Sequence, residues 1–244
     1  MTLDQGQTVD SILGGALTVV QPASGFRFAI DSILLARFVR PRQRDRILEL
    51  GAGCGVVSIV LAVLHHPSEI AAVELQPRLA GLIAHNAVLN GAAAVTAICA
   101  DIRRPIPGLM LATFDCVVLN PPYRAASRGR ESPNPDRRTA RGGEGASLTD
   151  FIEAAARYAN HGGRIAIVFT ASRTAELIAL MKQRLLEPKR IRFVHSKPQE
   201  SATMVLLEAR KAGGLETTIE PPLFIFGPSG DYTDEARAIL TRAE

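Results

Sequence analysis

An α/β fold is what this sequence predicts, built on a doubly wound, mostly parallel sheet with helices on both faces. Three observations predict it. From Arg46 onward, short apolar runs alternate with segments whose apolar residues repeat at helical spacing. The runs are continuously apolar, the pattern of strands buried on both faces. The chain has 244 residues, 47% hydrophobic and 21% charged, enough for one large domain or one domain with a small appendage.

The elements follow in order. Ala16 to Val20 reads as a strand after the turn-like stretch Asp10 to Gly15. Phe26-Arg27-Phe28 reads as its return after the Pro22–Gly25 loop, which makes a hairpin. Asp31 or Ser32 is placed to cap a short helix carrying Ile33, Leu34, Leu35, Phe38 and Val39, closed by Pro41. Residues 1–40 are thus expected to be a hairpin-and-helix appendage, and 41–244 the main domain. There Ile47–Leu50 is the first strand, and Val56–Leu64 a helix ended by Pro67. Ile70–Glu74 is the second strand, and Pro77 opens a helix that Asn90-Gly91 stops. Val95–Ala100 and Phe114–Leu119 are the third and fourth strands. Ser147-Leu148-Thr149-Asp150 resembles a capping box before an apolar helix face. Gly162-Gly163 leads into strand Arg164–Phe169, and Ser172–Leu186 is a further helix. Ile191–Val194 and Thr203–Glu208 have no long helix between them, so the sheet is expected to end antiparallel.

The bulk numbers exclude several classes. No stretch of eighteen apolar residues exists, so no membrane span is expected, and Met1–Asp10 is unlike a signal peptide. Cys54, Cys99 and Cys116 lack C-x-x-C spacing and read as three buried thiols in a reducing cytoplasm. His65, His66, His85 and His195 show no ligand spacing, so no metal is expected. Net charge is +4, a mild excess that permits a nucleic-acid partner. Much of it is local: Arg124, Arg128, Arg130, Arg137, Arg138 and Arg141 fall within a segment, 124–145, that reads as a mobile loop beside the fourth strand. Six arginines there suit phosphate contacts.

Glu49-Leu50-Gly51-Ala52-Gly53-Cys54-Gly55 joins the first strand to the first domain helix. Glycines permit the tight turn and let a ligand approach the backbone. A dinucleotide-binding loop needs G-x-G-x-x-G, and here the third glycine comes one residue early. The GxGxG form after an acid is similar to the first motif of S-adenosylmethionine-dependent methyltransferases. Glu49 suits a cofactor carrying cationic groups. Glu74, at the end of the second strand, can accept bonds from both hydroxyls of a ribose, and Asp101 can meet an adenine amino group.

Asn120-Pro121-Pro122-Tyr123 follows the fourth strand. Two prolines stop the ladder and make a stiff corner with an amide, a carbonyl and an aromatic ring. If the Asn120 oxygen and the Pro121 carbonyl both accept from an exocyclic amine, they favour a pyramidal nitrogen whose lone pair can reach a methyl donor. Tyr123 can stack on the base.

Asp10-x-x-Leu13-Gly14-Gly15, Gln21-Pro22 and Gly25-Phe26-Arg27-Phe28-x-x-Asp31-x-x-Leu34-Leu35-Ala36, with the glycine loop and Asn120–Tyr123, resemble the bacterial tRNA(Val) adenine N6-methyltransferase family. The resemblance spans nearly the whole chain. It implies a Rossmann-like, seven-stranded class I methyltransferase with an antiparallel last strand, S-adenosylmethionine as cofactor and a tRNA adenine beside the anticodon as target. It also implies Asn120, Pro121 and Tyr123 at the reacting amine. Gly51, Gly53, Gly55, Glu49, Glu74 and Asp101 would contact the cofactor, with Arg27 and Asp31 bordering its methionine end. Rivals are N-methylation of ribosomal RNA guanine, DNA adenine or protein glutamine, and a cofactor- and RNA-binding module without turnover. No oligomeric state is visible in the sequence.

Overall fold

The computed structural model describes residues 6–24, 27–123 and 145–241. The N-terminal hairpin pairs β1 (Gln7–Ile12) with β2 (Leu17–Pro22), antiparallel, around a 3-10 turn at Leu13–Gly15. This corrects the expected hairpin: the partner of Leu17–Val20 precedes it, and Arg27-Phe28 is not a strand. The polar residues Thr8, Asp10 and Ser11 disguise β1 as a turn, yet only its last residue, Ile12, is buried, as an edge strand allows. Helix α1 (Ile30–Phe38) starts earlier than expected. Ala29 is its N-cap and makes no side-chain capping bond. Asp31 and Ser32 therefore lie inside its first turn with their side chains free for other work.

The main sheet holds β3 (Arg46–Leu50), β4 (Glu69–Glu74), β5 (Val95–Cys99), β6 (Phe114–Leu119), β7 (Ala159–Thr170), β8 (Leu186–His195) and β9 (Ala202–Lys211). Two short strands, β10 (Thr218–Ile219) and β11 (Leu223–Phe224), both pair with β8. Its order is β10-β8-β9-β7-β6-β3-β4-β5. The expected seven strands thus gain two, both too short for the sequence pattern to reveal. β9 runs antiparallel to both β7 and β8, whereas the rest of the sheet is parallel. The chain moves outward from β3 through β4 to β5 and then returns to β6 on the other side of β3. That reversal is the switch point where ligands bind in open α/β sheets.

Helices α2 (Val56–His65) and α3 (Pro77–Leu89) cover one face, and α4 (Leu148–Tyr158) and α5 (Thr174–Gln183) the other. Strand side chains alternate between the two cores: Ile47, Cys116 and Val118 with α1 and α2, Leu48, Val117 and Leu119 with α4. The expected capping box forms: Ser147 Oγ accepts from the Asp150 N–H at 3.2 Å, and Asp150 accepts from the Ser147 N–H at 2.7 Å. Cys54 and Cys116 are buried free thiols, as expected, but Cys99 is exposed because it ends an edge strand. No helix among the described residues is long and apolar enough to cross a membrane.

The hairpin, α1, α2 and the last helix, α6 (Asp234–Thr241), share one apolar core, so packing is continuous across residue 40. α6 approaches so closely that a Cβ on Gly14 would lie 2.5 Å from the Thr241 carbonyl oxygen. From α1, Arg37 Nε donates to the Ile239 carbonyl at 3.2 Å. The hairpin is fixed to α3 by two asparagines one turn apart. Asn86 accepts from the Val20 N–H at 2.8 Å and donates to the Val20 carbonyl at 2.8 Å. Asn90 makes the same pair with Thr18, at 2.9 and 2.7 Å. Two amide side chains thus stand in for a neighbouring strand. Asn86 also donates to the Cys54 carbonyl at 3.0 Å, tying the hairpin to the glycine loop.

Asn86 is fully buried, and Asn86→Ala leaves backbone groups of Val20 and Cys54 without partners. It is expected to lower the unfolding free energy by about 3 kcal/mol. Asn90→Ala, at a half-buried position, is expected to cost about 1 kcal/mol. Urea denaturation of the two variants checks the order.

Candidate active site

The site begins with strand register. β3 and β6 are parallel neighbours, with Glu49 opposite Val118 and Leu50 opposite Leu119. Gly51 and Asn120, the next residue of each strand, therefore leave the sheet side by side. Both N–H groups of Gly51 and Ala52 donate to the Val73 carbonyl at 2.9 Å, which folds the loop back over β4. Gly51, Gly53 and Gly55 all have positive φ, at 73°, 58° and 87°. A Cβ on Gly51 would lie 2.9 Å from the Phe151 ring of α4, and one on Gly55 3.0 Å from Ile83. The positive φ favours glycine at both positions, and the tight approach of Phe151 and Ile83 adds to that preference.

Glu74 holds the loop from the next strand. One carboxylate oxygen accepts from the Gly53 N–H and the other from the Gln76 N–H, each at 2.9 Å. Burial raises its pKa, and those backbone donors oppose the rise. Asp101 follows β5 and is gripped by Arg103, whose Nη2 donates at 2.7 Å. That guanidinium lowers its pKa. Arg27 sits on the hairpin, donating to Thr8 at 2.9 Å and pairing with Asp10 at 3.2 Å. It is not brought to the glycine loop by any contact among the described residues. Arg124, Arg128, Arg130, Arg137, Arg138 and Arg141 lie outside the described residues.

Asn120 continues the alternation of Cys116 and Val118, so it points to the α1 face. There its amide nitrogen donates to Ser32 Oγ at 3.1 Å. Its oxygen lies 3.2 Å from the Tyr123 hydroxyl. The Tyr123 phenol donates to Asp31, and its ring packs edge-on against Phe169 with centroids 6.1 Å apart. Burial and the Asp31 charge raise the Tyr123 pKa, so it stays a donor. Asp31, Ser32, Asn120 and Tyr123 form one hydrogen-bonded chain across residues about ninety positions apart. Sequence reasoning placed Asp31 at the site but missed the contact of Ser32 with Asn120. The signal was present in the two-residue period that carries Asn120 to the α1 side.

Glu49 shares that face. It is 2% exposed. One of its oxygens accepts from both the N–H (2.9 Å) and the hydroxyl of Ser58 on α2. A small pocket is lined by Phe28, Ser32, Glu49, Gly51, Cys54 and Asn120, so it touches the glycine turn and the proline corner together. The hairpin shapes its rim: Gln21 Oε1 accepts from the Phe28 N–H at 3.1 Å. Backbone cradle, Glu49 and oriented amide are thus contiguous, with Glu74 bonded to the back of the loop and Asp101 just past the end of β5, its carboxylate bonded to Arg103. This set suits a cofactor with a ribose and cationic groups beside an amine acceptor.

Desolvation raises the Glu49 pKa to about 7, with the Ser58 bonds opposing and Glu74 adding to the rise. Between the ordinary value of 4.5 and about 7, the folded chain keeps a proton that the unfolded chain has released. The folded state binds more protons there, so stability falls as pH rises through that window, by about 3 kcal/mol. Glu49→Gln removes this dependence. Denaturation of both proteins at pH 4.5 and pH 8 is expected to show the wild type losing ground to the variant as pH rises.

The comparisons with known proteins agree with this arrangement. The family model "Methyltransferase small domain" matches residues 24–191. A relative named tRNA1(Val) (adenine(37)-N6)-methyltransferase from Aeromonas hydrophila is 27% identical over 206 residues, covering 84% of each chain. Its namesake from Tolumonas auensis is 29% identical over 161 residues, 66% of each chain. Among solved structures, a predicted O-methyltransferase, Atu636 of Agrobacterium tumefaciens, superposes with a TM-score of 0.70 at 23% identity, over 86% of this chain and 94% of that one. At that identity it establishes the fold alone.

Proposed function

The chain belongs to the methyltransferase small domain family, and from that premise we propose that it methylates the exocyclic N6 amine of an adenine in tRNA. It is an S-adenosylmethionine-dependent methyltransferase; the adenine and the tRNA are the finer part of the reading. The observation that carries it is the Asn120 amide, oriented at the carboxyl end of β6 beside the glycine turn.

When bound, S-adenosylmethionine supplies a methyl group already activated on a cationic sulfur. Gly51, Gly53 and Gly55 offer it an approachable backbone, Glu74 a carboxylate for ribose hydroxyls, and Glu49 a buried carboxyl whose ionised form a cationic group beside it would favour. Asp101 is assigned the adenine moiety, and Asp31, through Tyr123, the site's inner wall. Because Ser32 takes the Asn120 N–H, the amide oxygen is the end left for the target. That oxygen and the Pro121 carbonyl accept the two protons of the amine and free its lone pair. Tyr123 supports the base with its ring. The amine proton becomes acidic only after the nitrogen gains positive charge, so orientation and placed dipoles do most of the work and no strong base is needed.

The substrate class rests on the relatives' shared name and on the amino-methylation corner. Flipping a base out of a loop costs less than out of a duplex, which favours an anticodon-loop adenine. The arginines of segment 124–141 are assigned to RNA phosphates, and a tRNA substrate places the enzyme in the cytoplasm.

Transfer of labelled methyl to total tRNA, ribosomal RNA, DNA and protein tests this reading. N6-methyladenosine recovered from tRNA is the expected product, and label confined to protein or DNA overturns it. Asn120→Ala is expected to lower kcat at least ~100-fold while leaving cofactor affinity within roughly twofold of wild type. Ser32→Ala, which frees the amide to rotate, is expected to lower kcat about tenfold with little change in KM, and Ser32→Thr to restore most of it.

A further inference from the structure

The amino ends of the strands, opposite the edge that carries Asn120, enclose a second concavity. It is a groove of about 530 Å³ between the starts of β3, β6, β7 and β8 and the end of β9. Six basic side chains line it against three carboxylates. The carboxylates are already engaged. Asp45 pairs with Arg164, Glu208 pairs with Arg190 at 3.2 Å, and Asp115 accepts from the Arg46 N–H at 2.8 Å and from Asn160 at 2.7 Å. These bonds, with a second from Arg190 to Glu220 at 2.8 Å, pin Arg164 and Arg190 in the wall and leave Arg42, Lys189 and Arg210 without a carboxylate partner among the described residues.

Arg42 is exposed, and its guanidinium meets no acceptor among the described residues. Among the described residues Arg210 donates only to a neutral group, the Gly162 carbonyl, at 3.0 Å. Lys189 is held by the neutral carbonyls of Gly214, Leu215 and Glu216. Arg40 reaches Glu220 only at 3.6 Å and is 72% exposed. At one side, Gly163 brings backbone close: a Cβ there would lie 2.6 Å from Asn160 Oδ1. Like charges gathered in a concave site repel one another and focus the field outward, so the arrangement favours an anion. Arginine forks match phosphate oxygens in geometry as well as charge.

We infer that this groove binds a phosphoryl group, at a site separate from methyl transfer. Strands of five or six residues put the two edges roughly 20 Å apart, so the same nucleotide does not occupy both. The volume matches that of small-ligand pockets rather than the flat face a duplex prefers. The phosphoryl group is carried by a free small molecule or by a distant stretch of RNA backbone, and the experiment separates these sources.

Purified full-length protein is titrated with pyrophosphate at constant ionic strength, with sodium chloride as the control, following melting temperature and calorimetric heat. Arg42→Glu and Arg210→Gln are run beside it, with S-adenosylmethionine affinity measured in each to show an intact fold and an unaffected methyl-transfer site. Pyrophosphate is expected to stabilise the wild type and to bind at least about tenfold more weakly to Arg42→Glu. If pyrophosphate is silent but Arg42→Glu weakens tRNA binding about tenfold and lowers its salt dependence, the group belongs to RNA. No effect of pyrophosphate on the wild type together with unchanged tRNA affinity in both variants overturns the inference, whatever substrate is methylated.

Discussion

The parallel pairing of β3 with β6 is the constraint on which the rest of this molecule depends. Leu50 opposite Leu119 sets the register, and with it the neighbours that follow: a glycine turn and a proline corner emerging at the same height. Both strands are apolar and buried on both faces, so a slip by one residue would turn a charged or polar side chain into each core. Hydrophobic burial therefore sets a polar geometry. Glu49 is the one carboxylate carried inward by β3. It is retained because Ser58 of α2 offers it two donors from within the same layer.

The N-terminal segment completes the site rather than decorating it. Its strand β2 is held by Asn86 and Asn90 through side chains that imitate a strand edge. Through Gln21 it holds Phe28, and α1 then delivers Asp31 and Ser32 to the proline corner. Each step is a hydrogen bond, fully buried at Asn86 and part-buried from Asn90 and Gln21 onward. The order of these bonds runs from helix α3, through the hairpin, to the Asn120 amide. A change at Asn86 would thus be felt at the site without touching it.

Much of this was legible in the chain. β6 begins and ends where the apolar run does, and α3 begins at Pro77, because burial and proline geometry act locally. The glycine turn was legible because its spacing is a backbone requirement. What stayed hidden was non-local. β1 is polar and lies against a hairpin partner, so periodicity could not distinguish it from a turn. Asn90 read only as a helix stop and Asn86 carried no signal, because the strand they serve lies some seventy residues away. Ser32 read as a cap, and only the fold shows that Ala29 takes that position and leaves Ser32 to meet Asn120. Cys99 read as a buried thiol from cysteine spacing alone, which does not reveal that β5 is an edge strand.

The clasp between α1 and α6 links the chain's beginning to its far end. Arg37 waits some two hundred residues for the carbonyls it serves, and the turn at Gly14 waits for Thr241. Contacts of such long sequence separation form late and slowly, because loop closure must precede them. During synthesis, therefore, the helix bearing Asp31 and Ser32 is left with an apolar flank uncovered until residues 234–241 have been made and have folded back onto it. The pocket wall that α1 supplies gains its backing only when two segments some two hundred residues apart have met.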